Sequence, residues 1–234
     1  MKIATTLLLL ISIQLNALSQ FIVGSGNVTE ITRSFMGIKA LEVTGHIIVE
    51  IKVGNTEGIK IIADDNLHEY LISEFTNGTL KLSVTKNKRF RNVESRKVIV
   101  TVKSIESITN SGSGDIYSKA QFTGDLITIN SDGSGDITLA PECKKVTLEL
   151  SGSGEINLSG KTTQLSITHS GSGDVRAFDL IAHNVDVNCS GNGNVQVSPL
   201  IALSGTSNGN ADIMYKGHIT PTIETSGSSE VIQK

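Results

Sequence analysis

From residue 105 onward, aliphatic side chains recur at two fixed distances from a short glycine motif. The motif reads GSGDI at 112–116 and 133–137, GSGEI at 152–156, GSGDV at 171–175, GNGNV at 191–195, GNADI at 209–213 and GSSEV at 227–231. Four residues before each first glycine stand Ile108, Ile129, Leu148, Ile167, Val187, Gly205 and Ile223, and four residues after it stand Ile116, Ile137, Ile156, Val175, Val195, Ile213 and Val231. Around both columns apolar and polar residues alternate, as in VTLEL at 146–150 and VDVNC at 185–189, the period of a strand with one face inward. Successive first glycines lie 21, 19, 19, 20, 18 and 18 residues apart, an interval that suits one coil of a β-solenoid better than a helical repeat. A single coil buries little, but a second coil stacked about 4.8 Å away covers its open backbone edge and extends each aliphatic column. The pattern therefore predicts a parallel β-helix over residues 105–234.

The glycine motif supplies the corner between strands, since glycine tolerates positive φ and lets backbones approach closely. The acid before each Ile or Val is expected on an outward corner, accepting hydrogen bonds from turn amides or facing water. Two irregularities stand out. An extra residue at Asp132 lengthens the second turn and predicts a bulge there, and Gly205 in an aliphatic column predicts a thin spot or a local shift.

Residues 20–104 have a different texture. Strands are expected at 40–44, 47–53, 59–63, 79–85 and 97–102, with Asn77-Gly78 as a turn and 65–75 as a short helix or irregular excursion. This N-terminal β section reads either as a separate small β domain or as irregular β coils that cap the repeats, and the absence of a flexible linker at 104–106 favours continuity.

Composition narrows the class further. With 23 glycines, 3 prolines and 4% aromatics, a core must come from stacked small aliphatics rather than from a dense aromatic centre. Met1 and Lys2, the apolar run 3–11 and the small residues 16–19 have the layout of a signal peptide over 1–19, cleaved near Gln20. The run is short for a membrane span and has no successor, so no transmembrane segment is expected in the mature chain, and localisation is expected in the periplasm, at the outer surface or outside the cell. No cysteine follows the run to accept a lipid anchor. A formal charge of -3 gives no electrostatic reason to bind nucleic acid. Cys143 and Cys189 occupy different places in their coils, two coils apart, which is too far for a disulfide and predicts two free thiols.

Several segments in order carry a family likeness: the export signal, FMGIKALEV at 35–43, DDNL at 64–67, NGTLKL at 77–82, a strand at 98–102 and the first SGSGDI at 111–116. Together they resemble the auto-transporter adhesin, head GIN domain family of Bacteroidetes. The resemblance spans nearly the whole mature chain. It implies a right-handed β-helix and an exported adhesion protein, and it brings no catalytic residue. No outer-membrane barrel of the kind a true auto-transporter carries is expected after the repeats.

Candidate chemistry is sparse. The repeated acids Asp115, Asp136, Glu155, Asp174, Asp212 and Glu230 are spaced singly along the stack, whereas calcium needs six to eight oxygens converging on one point. The five histidines are dispersed without zinc spacing, and no metal or other cofactor is expected. A carbohydrate-active β-helical enzyme is the alternative, although a glycosidase needs two carboxyl groups across the scissile bond and the acids here recur at one regular position; a small-ligand binding protein is a second alternative. The sharpest binding candidate is the basic cluster around Phe90, with Lys88, Arg89 and Arg91 as a contact for an anionic glycan or lipid headgroup through an exposed ring beside cations. Tyr117, Phe122, Phe178 and Tyr215 would favour glycan binding if they shared one outward face. The last recognisable coil reaches Val231, and either a few local residues or a second subunit is expected to cover its strand edge, the latter giving a homo-oligomer. The expected function is an exported structural or interaction protein, an envelope adhesin or glycan-binding module, with a glycan or envelope protein as partner.

Overall fold

A computed structural model describes residues 20–234, and the expected signal peptide lies outside the described residues. The chain opens with β1 (Gln20–Val23), β2 (Val28–Ser34), β3 (Ala40–Val43), β4 (Ile48–Val53) and β5 (Gly58–Asp64). A 3-10 helix, Asp65–Tyr70, leads to β6 (Leu71–Thr76), β7 (Thr79–Val84), β8 (Lys88–Arg91) and β9 (Arg96–Val102). The repeats follow as β10 (Ser107–Asn110), then one long strand per coil: β11 (Ile116–Ser131), β12 (Ile137–Leu150), β13 (Ile156–His169), β14 (Val175–Cys189) and β15 (Val195–Ser207). Three short strands end the chain: β16 (Ile213–Tyr215), β17 (Thr222–Thr225) and β18 (Val231–Gln233).

The fold is an all-β, largely parallel solenoid with irregular N-terminal strands. Ile116, Ile137, Ile156, Val175, Val195, Ile213 and Val231 are successive partners in its ladders. Ile108, Ile129, Leu148, Ile167, Val187, Gly205 and Ile223 form the second column in the same way. Both columns continue into the N-terminal section, the first through Val49 and Val98 and the second through Leu41 and Leu80. All four extensions are buried in the same core cluster as the repeats. Burying one such side chain is worth about 1.5–3 kcal/mol, which each coil obtains only because its neighbours close over it.

The corner glycines owe their identity to close approach and not to positive φ. None from Gly112 to Gly209 in the repeat corners has a left-handed φ. A Cβ on Gly133 would instead fall 2.0 Å from the carbonyl oxygen of Gly112 in the coil before it. Ser134 N donates to that same oxygen at 2.9 Å, so the corners are themselves rungs of the parallel ladder.

Asp132 is not an insertion. Ser131 pairs with both Asn110 and Leu150, which places Asp132 level with Ser111 and Ser151. The two additional residues of that coil lie on the far side of the strand, where the register steps from Tyr117↔Thr138 to Gln121↔Ala140. Ser118 closes this bulge by accepting from Ala120 N at 3.0 Å. At Gly205 the pairing with Val187 is kept, and the register shifts fall earlier in the coil, between Ala177/Ile181 and Ala182/Asn184.

The N-terminal strands join the repeats in one sheet through a layered insertion. β3 and β4 form a coil that lies between β7 and β9 on one side and β10 and β11 on the other. Gly45 and Ile47 serve as its corner, facing Gly112 and Gly114. Beyond this layer pairing turns antiparallel: β6 runs against β7 through the Asn77-Gly78 turn, and β5 runs against both β9 and β2. The 3-10 helix crosses from β5 to β6 with Leu67 buried beneath it, so the expected excursion at 65–75 is half helix and half strand.

Candidate functional site

β8 pairs in parallel with β1 as a separate two-stranded ribbon, matching Phe21 to Arg89 and Val23 to Arg91. Alternation sends Ile22 and Phe90 inward and leaves Phe21, Val23, Arg89 and Arg91 outward. Phe90 is therefore not the exposed ring expected of it. It packs half-buried with His46 at 5.1 Å and Tyr70 at 6.1 Å between ring centroids. Its place beside the cations is taken by Phe21, 44% exposed, with the Arg91 guanidinium 3.7 Å from the ring centre. Val23, 56% exposed, extends the apolar part of this face. Lys88 turns partly inward, with its ammonium 5.6 Å from the Tyr70 ring.

Three consecutive residues, Asp64, Asp65 and Asn66, fasten the ribbon. The fully buried Asp64 carboxylate accepts from Gly26 N at 2.8 Å and from Glu94 N and Ser95 N at 3.1 Å each, tying the segment after β1 to the segment after β8. Burial pushes the Asp64 carboxyl upward, but its backbone N–H donors more than offset that and hold it below the usual carboxylate range. Asp65 accepts from Ser25 Oγ and Asn27 Nδ2, while Asn66 accepts from Ser25 N and donates to Val23 O. This cradle was not foreseen from the residues, although an acid pair followed by Asn at the end of a strand is the signal that marks it.

A concave region lies on the outward face of the repeats. Thr138, Asn157, Arg176 and Gln196 are successive ladder partners and form one column there. The fourth coil bulges next to it. Pairing steps from Asn157↔Arg176 to Ser159↔Asp179, and from Ala177↔Val197 to Ile181↔Ser198, so the residues after Ala177 lift out of the ladder. Phe178 stands in the bulge, its carbonyl capped by Ser198 Oγ at 2.7 Å and its ring faced by the Lys216 ammonium at 4.5 Å. The result is a groove of about 440 Å³ walled by Phe178, with Leu139 and Leu158 also contributing to its lining.

The family model described as "Putative auto-transporter adhesin, head GIN domain" matches residues 37–218. The chain belongs to this family. Among solved structures it is similar to a putative adhesin from Bacteroides fragilis, with 21% identity, a TM-score of 0.87, and 91% of this chain and 100% of that one covered. It is also similar to a putative adhesin and a putative lipid binding protein, both from Parabacteroides distasonis. Each is 22% identical over 90% of this chain and 99% of the other, with TM-scores of 0.70 and 0.68. At these identities the likeness establishes the solenoid fold. No curated protein matches the sequence.

In this head GIN domain protein the repeated acids form a hydrogen-bonded ladder. Oδ1 of Asp115, Asp136, Asp174 and Asp212, and of Asn194, accepts the backbone N–H of the equivalent residue one coil later, at 2.8–3.0 Å. Glu155 departs from the pattern and turns to Asn157 Nδ2 at 2.7 Å and to Arg176 at 2.8 Å. Among the described residues no three His, Cys, Asp or Glu side chains gather as a metal site. His169 is buried and donates from Nε2 to Gly173 O at 2.7 Å, and burial lowers its pKa, a corner role. Cys143 and Cys189 are buried in different columns two coils apart, roughly 10 Å along the stack at about 4.8 Å per coil and beyond the reach of a disulfide. Of the repeat aromatics, Phe122 and Tyr215 are buried, and only Tyr117 and Phe178 reach the surface. On the surface of the last long strands Ile181, Leu200 and Ile201 are exposed apolar side chains.

Proposed function

We propose that this protein is an exported interaction module of the adhesion type, which meets an anionic surface of the cell envelope through the β1–β8 ribbon. The reading rests on one observation: two outward guanidinium groups, Arg89 and Arg91, share a face with the exposed apolar side chains Phe21 and Val23. Guanidinium groups bind phosphate and carboxylate in paired hydrogen bonds, while the adjacent ring and aliphatic side chain gain from an apolar layer. Family membership and the adhesin and lipid-binding descriptions of the similar structures support an extracytoplasmic contact role. The site is thus the expected cluster Lys88, Arg89, Phe90 and Arg91 with one change, Phe21 replacing Phe90 as the contacting ring.

Partitioning of the mature protein onto vesicles of equal parts phosphatidylglycerol and phosphatidylcholine tests this, beside vesicles of phosphatidylcholine alone and a soluble polygalacturonate. Binding that follows the anionic partner and weakens about fivefold for each of Arg89→Gln and Arg91→Gln matches roughly 1 kcal/mol per surface charge. Indifference of the double variant, on lipid and polygalacturonate alike, refutes the reading.

A further inference from the structure

Departures from the repeat are where a solenoid can acquire a site, because every regular inward position is already committed to stacking. Three departures coincide at the third and fourth coils. Glu155 replaces the ladder-forming aspartate, an arginine enters the outward column at Arg176, and the strand bulges at Phe178. Each affects the same groove.

We infer that this groove binds a short, uncharged oligosaccharide lying along the solenoid axis. Phe178 offers a partly exposed ring as an apolar contact for a pyranose, with the Lys216 ammonium 4.5 Å from the ring centre. Thr138, Asn157 and Gln196 bring hydroxyl and amide groups, which both donate and accept as sugar hydroxyls do. Glu155 holds Asn157 and Arg176 in place. By accepting from Asn157 Nδ2 it leaves the amide oxygen of Asn157 as the group available to a ligand, and by pairing with Arg176 it fixes the guanidinium. The same pairing settles the ligand's charge. Glu155 at 2.8 Å and Asp174 at 3.8 Å neutralise Arg176, and Asp179 lies in the lining with Lys216, so the groove has no surplus charge to attract an anion. From Thr138 to Gln196 the column spans three coil spacings, roughly 14 Å at about 4.8 Å each, room for several linked sugars. This site is separate from the β1–β8 ribbon and does not depend on it.

Titration calorimetry of the mature protein with maltohexaose, cellohexaose, chitohexaose and hexagalacturonate tests the inference. At least one of the three neutral hexamers is expected to bind. Phe178→Ala is expected to weaken that binding roughly tenfold, and Gln196→Ala several-fold. The ribbon double variant Arg89→Gln/Arg91→Gln keeps full affinity. Because Phe178 also packs in its bulge, Gln196→Ala decides if Phe178→Ala lowers the unfolding midpoint. The inference is overturned if no neutral hexamer binds at millimolar concentration, if only hexagalacturonate binds, or if a well-folded groove variant binds like the parent.

Discussion

Gly133→Ala puts the stacking geometry to a direct test. The added Cβ would lie 2.0 Å from Gly112 O and 2.9 Å from Gly112 C and N, where ordinary contact begins near 3.4 Å. All three atoms are backbone, so no rotamer change can relieve the overlap, and the corner must open by about 1.4 Å, the difference between those two distances. Opening by that amount stretches the 2.9 Å bond from Ser134 N to Gly112 O past hydrogen-bond range and disturbs the rungs on either side. One or two lost backbone bonds at about 1 kcal/mol each, with overpacking strain of about 1–3 kcal/mol, give a cost near 3 kcal/mol. For a chain of this size that corresponds to a drop in Tm of roughly 6–12 °C. The control is Gly124→Ala, whose Cβ meets nothing closer than Cys143 Sγ at 4.0 Å and which should stay within about 0.5 kcal/mol of the parent. Thermal and urea unfolding of both variants supplies the comparison. Equal midpoints would mean that coils do not approach each other through their corner glycines.

Asp64→Asn should cost roughly 2–3 kcal/mol, because buried N–H donors lose a charged acceptor. Since the folded-state pKa of Asp64 is depressed, its contribution is present above the unfolded value near 3.9 and lost as pH falls through the folded value. Urea midpoints should therefore drop below about pH 4 in the parent, and the variant should show a flatter dependence; parallel pH profiles would count against the cradle. Burial pushes the Cys189 thiol up to about 12 and raises Cys143 as well, so neither should react with a disulfide reagent at pH 8 until the chain is unfolded. Labelling of the native protein within minutes would contradict their burial.

The stack was legible because its signal is redundant. Each aliphatic column recurs in every coil, and the ladder pairs residues in the order their spacing implies. Spacing alone could not say where within a coil two surplus residues reside, which is why the bulge expected at Asp132 lies beside Ser118. The strands of the β3–β4 coil are legible in the sequence, but its corner is not recognisable as a copy of the glycine motif, since it retains one glycine, with Ile47 opposite Gly114. The ribbon was harder still: β1 and β8 are four residues each and pair Gln20 with Lys88, a contact no local pattern encodes. Phe90 was placed on the wrong face for the same reason, as the His46 and Tyr70 rings that bury it come from distant segments. The groove is invisible to periodicity because it is made by the failure of periodicity at Phe178.

Glu155 joins stability to binding in one side chain, and Glu155→Asp should separate them. In the aspartate positions the short side chain places Oδ1 against the next coil's N–H, as Asp136 does for Glu155 N at 2.8 Å. Shortening Glu155 by one methylene should let it make the same bond to Asp174 N, a charge-assisted interaction worth about 1.5 kcal/mol. It would then withdraw from Asn157 and Arg176, whose pairing with it is partly solvent-exposed and worth at most about 1 kcal/mol. The balance favours a variant as stable as the parent or slightly more so. Oligosaccharide affinity should nonetheless fall several-fold, since Asn157 and Arg176 lose the group that orients them. A loss of stability together with unchanged affinity would show that Glu155 serves the stack and that the groove owes nothing to it.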